Sequence, residues 1–241
     1  MIANLPLYIA IVFIITTIIA FFIFYYAMRH SASLNTVGHS KLIASALAFW
    51  LVVQALLSLN EVYSNGTTSI PPKFIFALLP PIITIIILFS IKRGLAFIDN
   101  LPLATITYLN IVRIPVEIVL YWLMLYKAVP KLMTFEGRNF DIISGITAPF
   151  IAYFGFTFTK ARLGKKIILY WNVICLLLLL NVLTIGILSA PFAFQLFSSL
   201  QPNVAILHFP FVWLPSFIVP LILFCHLASM RQLLKSIKQI D

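Results

Sequence analysis

LPLYIAIVFIITTIIAFFIFYYAM, residues 5–28, is a run of 24 residues without a single charged side chain. Crossing the hydrocarbon of a bilayer takes about 20 mostly apolar residues, with a range of about 17–25. An unsatisfied backbone group costs several kcal/mol there, so a spanning segment of this kind is expected to be helical. The run is too long for the apolar core of a secretory signal. No basic stretch precedes it and no small-residue cleavage site follows, so it reads as a retained first helix.

Outward from this run the pattern repeats. Lys41–Leu59, Phe74–Ile91, Leu103–Tyr126, Ile167–Leu188 and Phe211–Met230 are of the same kind, and Ile142–Phe158 is a shorter one of 17 residues. The apolar runs are continuous instead of alternating, which excludes a membrane β-barrel. Composition agrees: of 241 residues, 62% are hydrophobic and 9% charged, with a mean hydropathy of +1.09. A soluble domain is about 45–50% apolar and about 25% charged. Too few charged side chains remain to clothe a soluble core of this size. A soluble enzyme, a nucleic-acid-binding domain and a disordered tail are excluded. The expected fold class is therefore all-α, a polytopic transmembrane bundle forming one integral membrane domain over residues 1–241. No Gly/Ser linker or soluble insert divides it, and span spacing supports no internal repeat.

The net charge of +10 has a positional meaning. With seven spans, one side of the membrane receives Arg29, Lys41, Lys92, Arg93, Lys160, Arg162, Lys165, Lys166, Arg231, Lys235 and Lys238. The other receives only Lys73, Lys127, Lys131 and Arg138. By the positive-inside rule this places the N-terminus outside and the C-terminus in the cytoplasm. Without the short fifth span the bias reverses, so seven is the consistent count. After the last span, Arg231, Lys235 and Lys238 share one helical face and Leu233, Leu234, Ile237 and Ile240 the other. That pattern predicts a short amphipathic helix on the anionic inner leaflet.

A charge inside a membrane helix costs about 2.5–3.5 kcal/mol on the insertion scale, so residues bearing that cost are candidates for function. The fourth span holds Asn110, Arg113 and Glu117, at i, i+3 and i+7 on one face, which Tyr121 and Met124 continue. Pro115 removes the amide that would bond the Ile111 carbonyl, predicting a kink. Arg113 and Glu117 are also four apart, as an intrahelical ion-pair brace would be. Just beyond, Thr134-Phe-Glu-Gly-Arg-Asn-Phe-Asp141 carries Glu136, Arg138, Asn139 and Asp141 into the fifth span. A fifth helix starting near Thr134 would turn these groups toward Arg113 and Glu117 across an outward-opening cavity. Asp141 alone reads as the N-cap of a helix starting at Ile142.

Other features are less specific. Gln54, Asn172 and Asn181 suit hydrogen bonds between helices, and Asn172 and Asn181 fall on opposite faces. Cys175 and Cys225 lie within spans and serve as small hydrophobes. His226, near the cytoplasmic end of the last span, and His39 are a conceivable haem pair, although no cofactor or metal motif is present. Pro80-Pro81, Pro149, and Pro210, Pro215 and Pro220 interrupt the third, fifth and seventh spans. The uncharged, Phe-rich stretch Ser189–Pro210 fits a lid or interfacial segment better than a solvated loop. Asn65-Gly66-Thr67 matches a glycosylation acceptor, relevant only in a eukaryote. The topology matches seven-helix rhodopsins and receptors, yet the last span has no Lys for a retinal Schiff base.

At Arg113-Ile-Pro-Val-Glu117 and Thr134-Phe-Glu-Gly-Arg-Asn-Phe-Asp141, the chain resembles small multi-pass membrane proteins of unknown function from bacterial genomes. The resemblance runs from about Arg113 through the last span and implies a bacterial inner membrane. The residues themselves favour a bundle that binds or translocates a small polar or anionic solute or an ion between spans four and five. In that reading Arg113 attracts the anionic group, Glu117 is counter-charge or proton acceptor, and Asn110 fixes orientation. The lipid bilayer is the expected partner and nucleic acid is not. The alternative is a sensory or structural bundle acting through a protein partner, with Arg113–Glu117 as its brace. An intramembrane enzyme ranks last, for want of a nucleophile.

Overall fold

The computed structural model describes residues 2, 5–158, 163–198 and 200–238, and among these no strand occurs. The helices are α1 (Leu7–Arg29), α2 (Leu34–Leu59), α3 (Ile75–Ser90), α4 (Lys92–Asp99), α5 (Leu103–Tyr108), α6 (Arg113–Leu125), α7 (Ile142–Ala152), α8 (Lys165–Leu188) and α9 (Val219–Ile237). A 3-10 turn, Leu109–Val112, joins α5 to α6. A π turn, Tyr153–Thr157, extends α7, and another, Leu214–Ile218, leads into α9. Five of the resulting helices are long and apolar enough to cross a membrane: Leu7–Arg29, Leu34–Leu59, Leu103–Leu125, Lys165–Leu188 and Leu214–Ile237. Counting the α3–α4 pair, which bends by 93°, as one broken span gives a sixth, and Ile142–Thr157 is apolar but shorter.

The α3–α4 elbow has a local cause. A Cβ on Gly94 would lie 2.2 Å from the Leu88 carbonyl oxygen, so only glycine lets the chain fold back on itself there. At the other end of the bundle α2 and α6 stop in the left-handed conformation, at Glu61 and Lys127, with the following amides bonding back to the Leu57 and Leu123 carbonyls.

Packing is centred on α9, which touches α8, α5, α4 and α3, and on α6, which lies against α1 and α7. The helix Leu34–Leu59 is the outlier, with only 11% of its apolar window buried. Its buried residues are all polar (Thr36, Ser40, Gln54 and Ser58), while Leu42, Phe49 and Val52 face outward. That is the inverse of a soluble helix and the arrangement expected in lipid, with Gln54 and Ser58 bonding to neighbouring segments and apolar side chains facing outward.

Proline explains where α2 is held. Pro80 leaves the Phe76 carbonyl without its helical donor, and Gln54 Nε2 supplies one at 3.4 Å. Pro220 does the same to the Ser216 carbonyl, which the Trp50 indole bonds at 2.9 Å. Ser58 and Trp213 add bonds to the Leu207 and Leu51 carbonyls. Freed carbonyls inside a membrane are commonly re-satisfied by neighbouring helices in this way.

The last helix runs on to Ile237, past the end expected at Met230. The amphipathic tail is thus a continuation of α9, not a separate element. Its cationic face docks on α4: Arg231 Nε bonds Asp99 Oδ1 at 2.8 Å and Lys235 Nζ bonds Asp99 Oδ2 at 3.0 Å. Ile240, expected on the opposite face, lies outside the described residues, as do Lys160 and Arg162. The described residues of the Ser189–Pro210 stretch fold over the Leu7 end of the bundle. Asn203 N donates to the Ser189 carbonyl, Val204 N to that of Ala128, and Gln201 to those of Met124 and Val129.

Candidate functional site

The sequence predicts a kink at Pro115; one turn earlier the helix changes to the 3-10 stretch Leu109–Val112. The Asn110, Arg113 and Glu117 face points inward, each of the three being buried. Opposite the break lies α7, and Gly145 sets how near it comes. A Cβ there would be 2.8 Å from Ile114 Cγ1 and 3.3 Å from Arg113 Cβ. This approach brings the start of α7 against the guanidinium. Asp141, expected as an N-cap, makes no capping bond. Its carboxylate instead pairs with Arg113, Nε donating to Oδ2 at 2.7 Å and Nη2 to Oδ1.

The remaining Arg113 donors are also used. Nη1 donates to Asn110 Oδ1 at 3.4 Å and to His226 Nε2 at 3.1 Å, and Nη2 to the Cys175 carbonyl at 3.2 Å. Because Arg113 only donates, His226 Nε2 is an acceptor. Its Nδ1–H then donates to Asn172 Oδ1 at 3.0 Å, and the ring is a neutral tautomer. Both ring nitrogens being committed, none is left for iron, and the haem pairing with the exposed His39 is corrected. His226 sits near the middle of Leu214–Ile237, not near its end as expected.

The Arg113–Glu117 pair is corrected too: the carboxylate on Arg113 belongs to Asp141. Glu117 Oε1 accepts from Asn139 Nδ2 at 2.6 Å, while Oε2 has no partner among the described residues. Asn139 is completed by a second donation, to the Met133 carbonyl, and its own Oδ1 accepts from the Asp141 amide. The fifth helix does not begin near Thr134. Residues 134–141 form a turn instead, in which a Cβ on Gly137 would lie 2.2 Å from the Lys131 carbonyl oxygen. That turn points Glu136 and Arg138 to the surface, Glu136 facing Lys131 at 3.5 Å, so neither joins the cluster.

Beside Glu117 is a cavity of about 50 Å³, walled by apolar side chains of α6, α8 and the Leu214–Ile222 stretch. It also touches Arg113, Asp141 and Asn203. Asn203, fully buried, donates Nδ2 to the Gly186 carbonyl at 3.1 Å and leaves Oδ1 without a partner among the described residues. Its place in the uncharged Ser189–Pro210 stretch left nothing in the sequence to mark it. His226 and Cys175 were likewise visible as residues but not as neighbours of Arg113.

Outside the spans, two groups show what the polar ends experience. Burial pushes the Tyr63 hydroxyl up to about 12, its hydrogen bond to Gln54 opposing the shift. Partial burial raises the Asp99 carboxyl as well, but hydrogen bonds and charge from Arg231 and Lys235 outweigh it and hold the group below the usual carboxylate range.

Residues 74–234 match the family model described as domain of unknown function DUF8737. The chain belongs to the DUF8737 family. The match covers α3 through most of α9, and so includes Arg113, Glu117, Asn139, Asp141, Asn203 and His226 inside the DUF8737 region. Only α1, α2 and the loop after them precede the DUF8737 match. No curated protein and no solved structure matches the chain.

Proposed function

We propose that this protein is a seven-span bundle of a bacterial inner membrane, N-terminus outside and C-terminus cytoplasmic, that binds or translocates a small polar solute or ion at a polar site between spans four and five. The observation carrying this reading is Glu117, an intramembrane carboxylate with one oxygen held by Asn139 and the other unpartnered beside a cavity. A carboxylate with a purely structural role would be paired, as Asp141 is. Seven spans follow if α3, with α4 turned 93° away at its end, is one short span and Ile142–Thr157 another, and the distribution of Lys and Arg supports the orientation.

A sensory or structural bundle acting through a protein partner draws on one observation of its own. The Arg113–Asp141 lock, with Asn110 and His226, is a brace. It accounts for Arg113 but leaves Glu117 and the cavity without a purpose. The two readings separate in a thermal-melt screen of the purified protein against inorganic salts, amino acids and organic acids. Binding predicts that one class raises the midpoint of the wild type and leaves Glu117→Gln unmoved, since the amide keeps the acceptor for Asn139. A wild type indifferent to every solute, yet more stable than Glu117→Gln, returns the site to a structural role.

A further inference from the structure

Resting on the reading of Glu117 as a ligand-binding carboxylate, we propose that the cavity takes a small monovalent cation, of the size of sodium, potassium or ammonium, between the Glu117 carboxylate and the Asn203 amide oxygen. The class follows from which atoms are free. All five N–H groups of Arg113 are engaged, by Asp141, Asn110, His226 and the Cys175 carbonyl. Asn139 Nδ2 spends its two hydrogens on Glu117 and the Met133 carbonyl. An anion entering the cavity would therefore find the arginine already consumed, which reverses the role first expected of it. What the residues around the cavity leave free are two unpartnered acceptors, Glu117 Oε2 and Asn203 Oδ1, on side chains no more than 1% exposed. The amide cannot be turned over to present a donor instead, because its oxygen would then face the Gly186 carbonyl.

Charge gives the same answer. Arg113 and Asp141 cancel, and His226, donating at one nitrogen and accepting at the other, is neutral. Among these groups Glu117 has no countercharge, and a lone carboxyl at membrane depth is relieved either by a proton or by a cation. The space beside it is what makes the cation an option. Size and donor number limit the ligand further. About 50 Å³ exceeds the ~10–15 Å³ needed for one water and suits a ligand of ion size. Among the described residues no three His, Cys, Asp or Glu side chains are grouped to chelate a metal, so the hard oxygen pair suits a monovalent ion.

The test uses the full chain in detergent, melted in choline chloride and then at equal ionic strength in sodium, potassium or ammonium chloride and in sodium gluconate. At least one of the three small cations is expected to raise the midpoint over choline, whichever anion accompanies it. The response is expected to vanish in Glu117→Gln. In Asn203→Ala the half-saturating concentration should rise roughly tenfold or more, the worth of one hydrogen bond to a charged group. Should either variant fail to fold, Gly186→Ala serves. Its added methyl comes 3.2 Å from the mobile end of Met133 and leaves every charge in place, and it must weaken the response. A shift that follows the anion or a neutral solute, and is lost in Glu117→Gln, overturns the cation but keeps the site. A melt identical in every salt and in Glu117→Gln overturns both.

Discussion

Five N–H groups of the Arg113 guanidinium meet five acceptors, and this saturation decides what each neighbour is free to do. Removing one member of a buried ion pair leaves an uncompensated charge, at about 3–5 kcal/mol. Arg113→Gln and Asp141→Asn are each expected to lower the melting midpoint sharply, and the double variant to recover most of the loss. Recovery of Arg113→Gln by Glu117→Gln instead would show that the pairing has been misassigned. The sequence makes the Asn110-Arg113-Glu117 face legible, because i, i+3 and i+7 coincide on any helix. It does not make the partner legible. Helical spacing points Arg113 at the acid four residues on, whereas the close approach permitted by Gly145 brings up one 28 residues away. A period specifies a face, and only packing specifies what meets it.

At the scale of the elements, proline placement and helix attachment are one subject. Pro80 and Pro220 each strand a carbonyl, and α2, otherwise bathed in lipid, supplies Gln54 and Trp50 to those two positions. Trp50→Phe retains the ring and deletes the donor, so the Ser216 carbonyl is left unsatisfied at a cost of about 1–3 kcal/mol. The expected result is a lowered midpoint with faster proteolysis or labelling along α2. An unchanged midpoint would mean that α2 is held by its contacts with α1. The apolar runs predicted most helix starts and ends to within a few residues. The second span starts seven residues earlier than expected, at Leu34, and two other misreadings share a cause, which is charge read in isolation. Arg231 and Lys235 look like the end of a span until Asp99 is seen to receive them. Glu136 and Arg138 look like part of a polar helix face until the turn at Gly137 directs them to the surface.

For the molecule as a whole, the Asp99 junction ties the last helix to the elbow between α3 and α5. The carboxyl is more acidic folded than unfolded, so its contribution to stability is complete above the ordinary carboxylate range and is lost as the pH falls through the folded value. The gap in stability between wild type and Asp99→Asn should be full at neutral pH and close only as the pH is lowered below the ordinary Asp value of about 3.9. A gap that widens on acidification would contradict that sign. Another property belongs to the whole molecule and follows from two of its shortest apolar elements. The helix Ile75–Ser90 and the stretch Ile142–Thr157 each have 16 residues, about 24 Å at 1.5 Å per residue, against a hydrocarbon thickness of roughly 30 Å. Both present large apolar side chains outward, Phe76 and Ile86 on one and Ile143 and Phe150 on the other. A helix shorter than its bilayer is accommodated by thinning the lipid beside it, at fractions of a kcal/mol per ångström. In a membrane, these flanks would be dimpled, and short-chain lipids would gather along them.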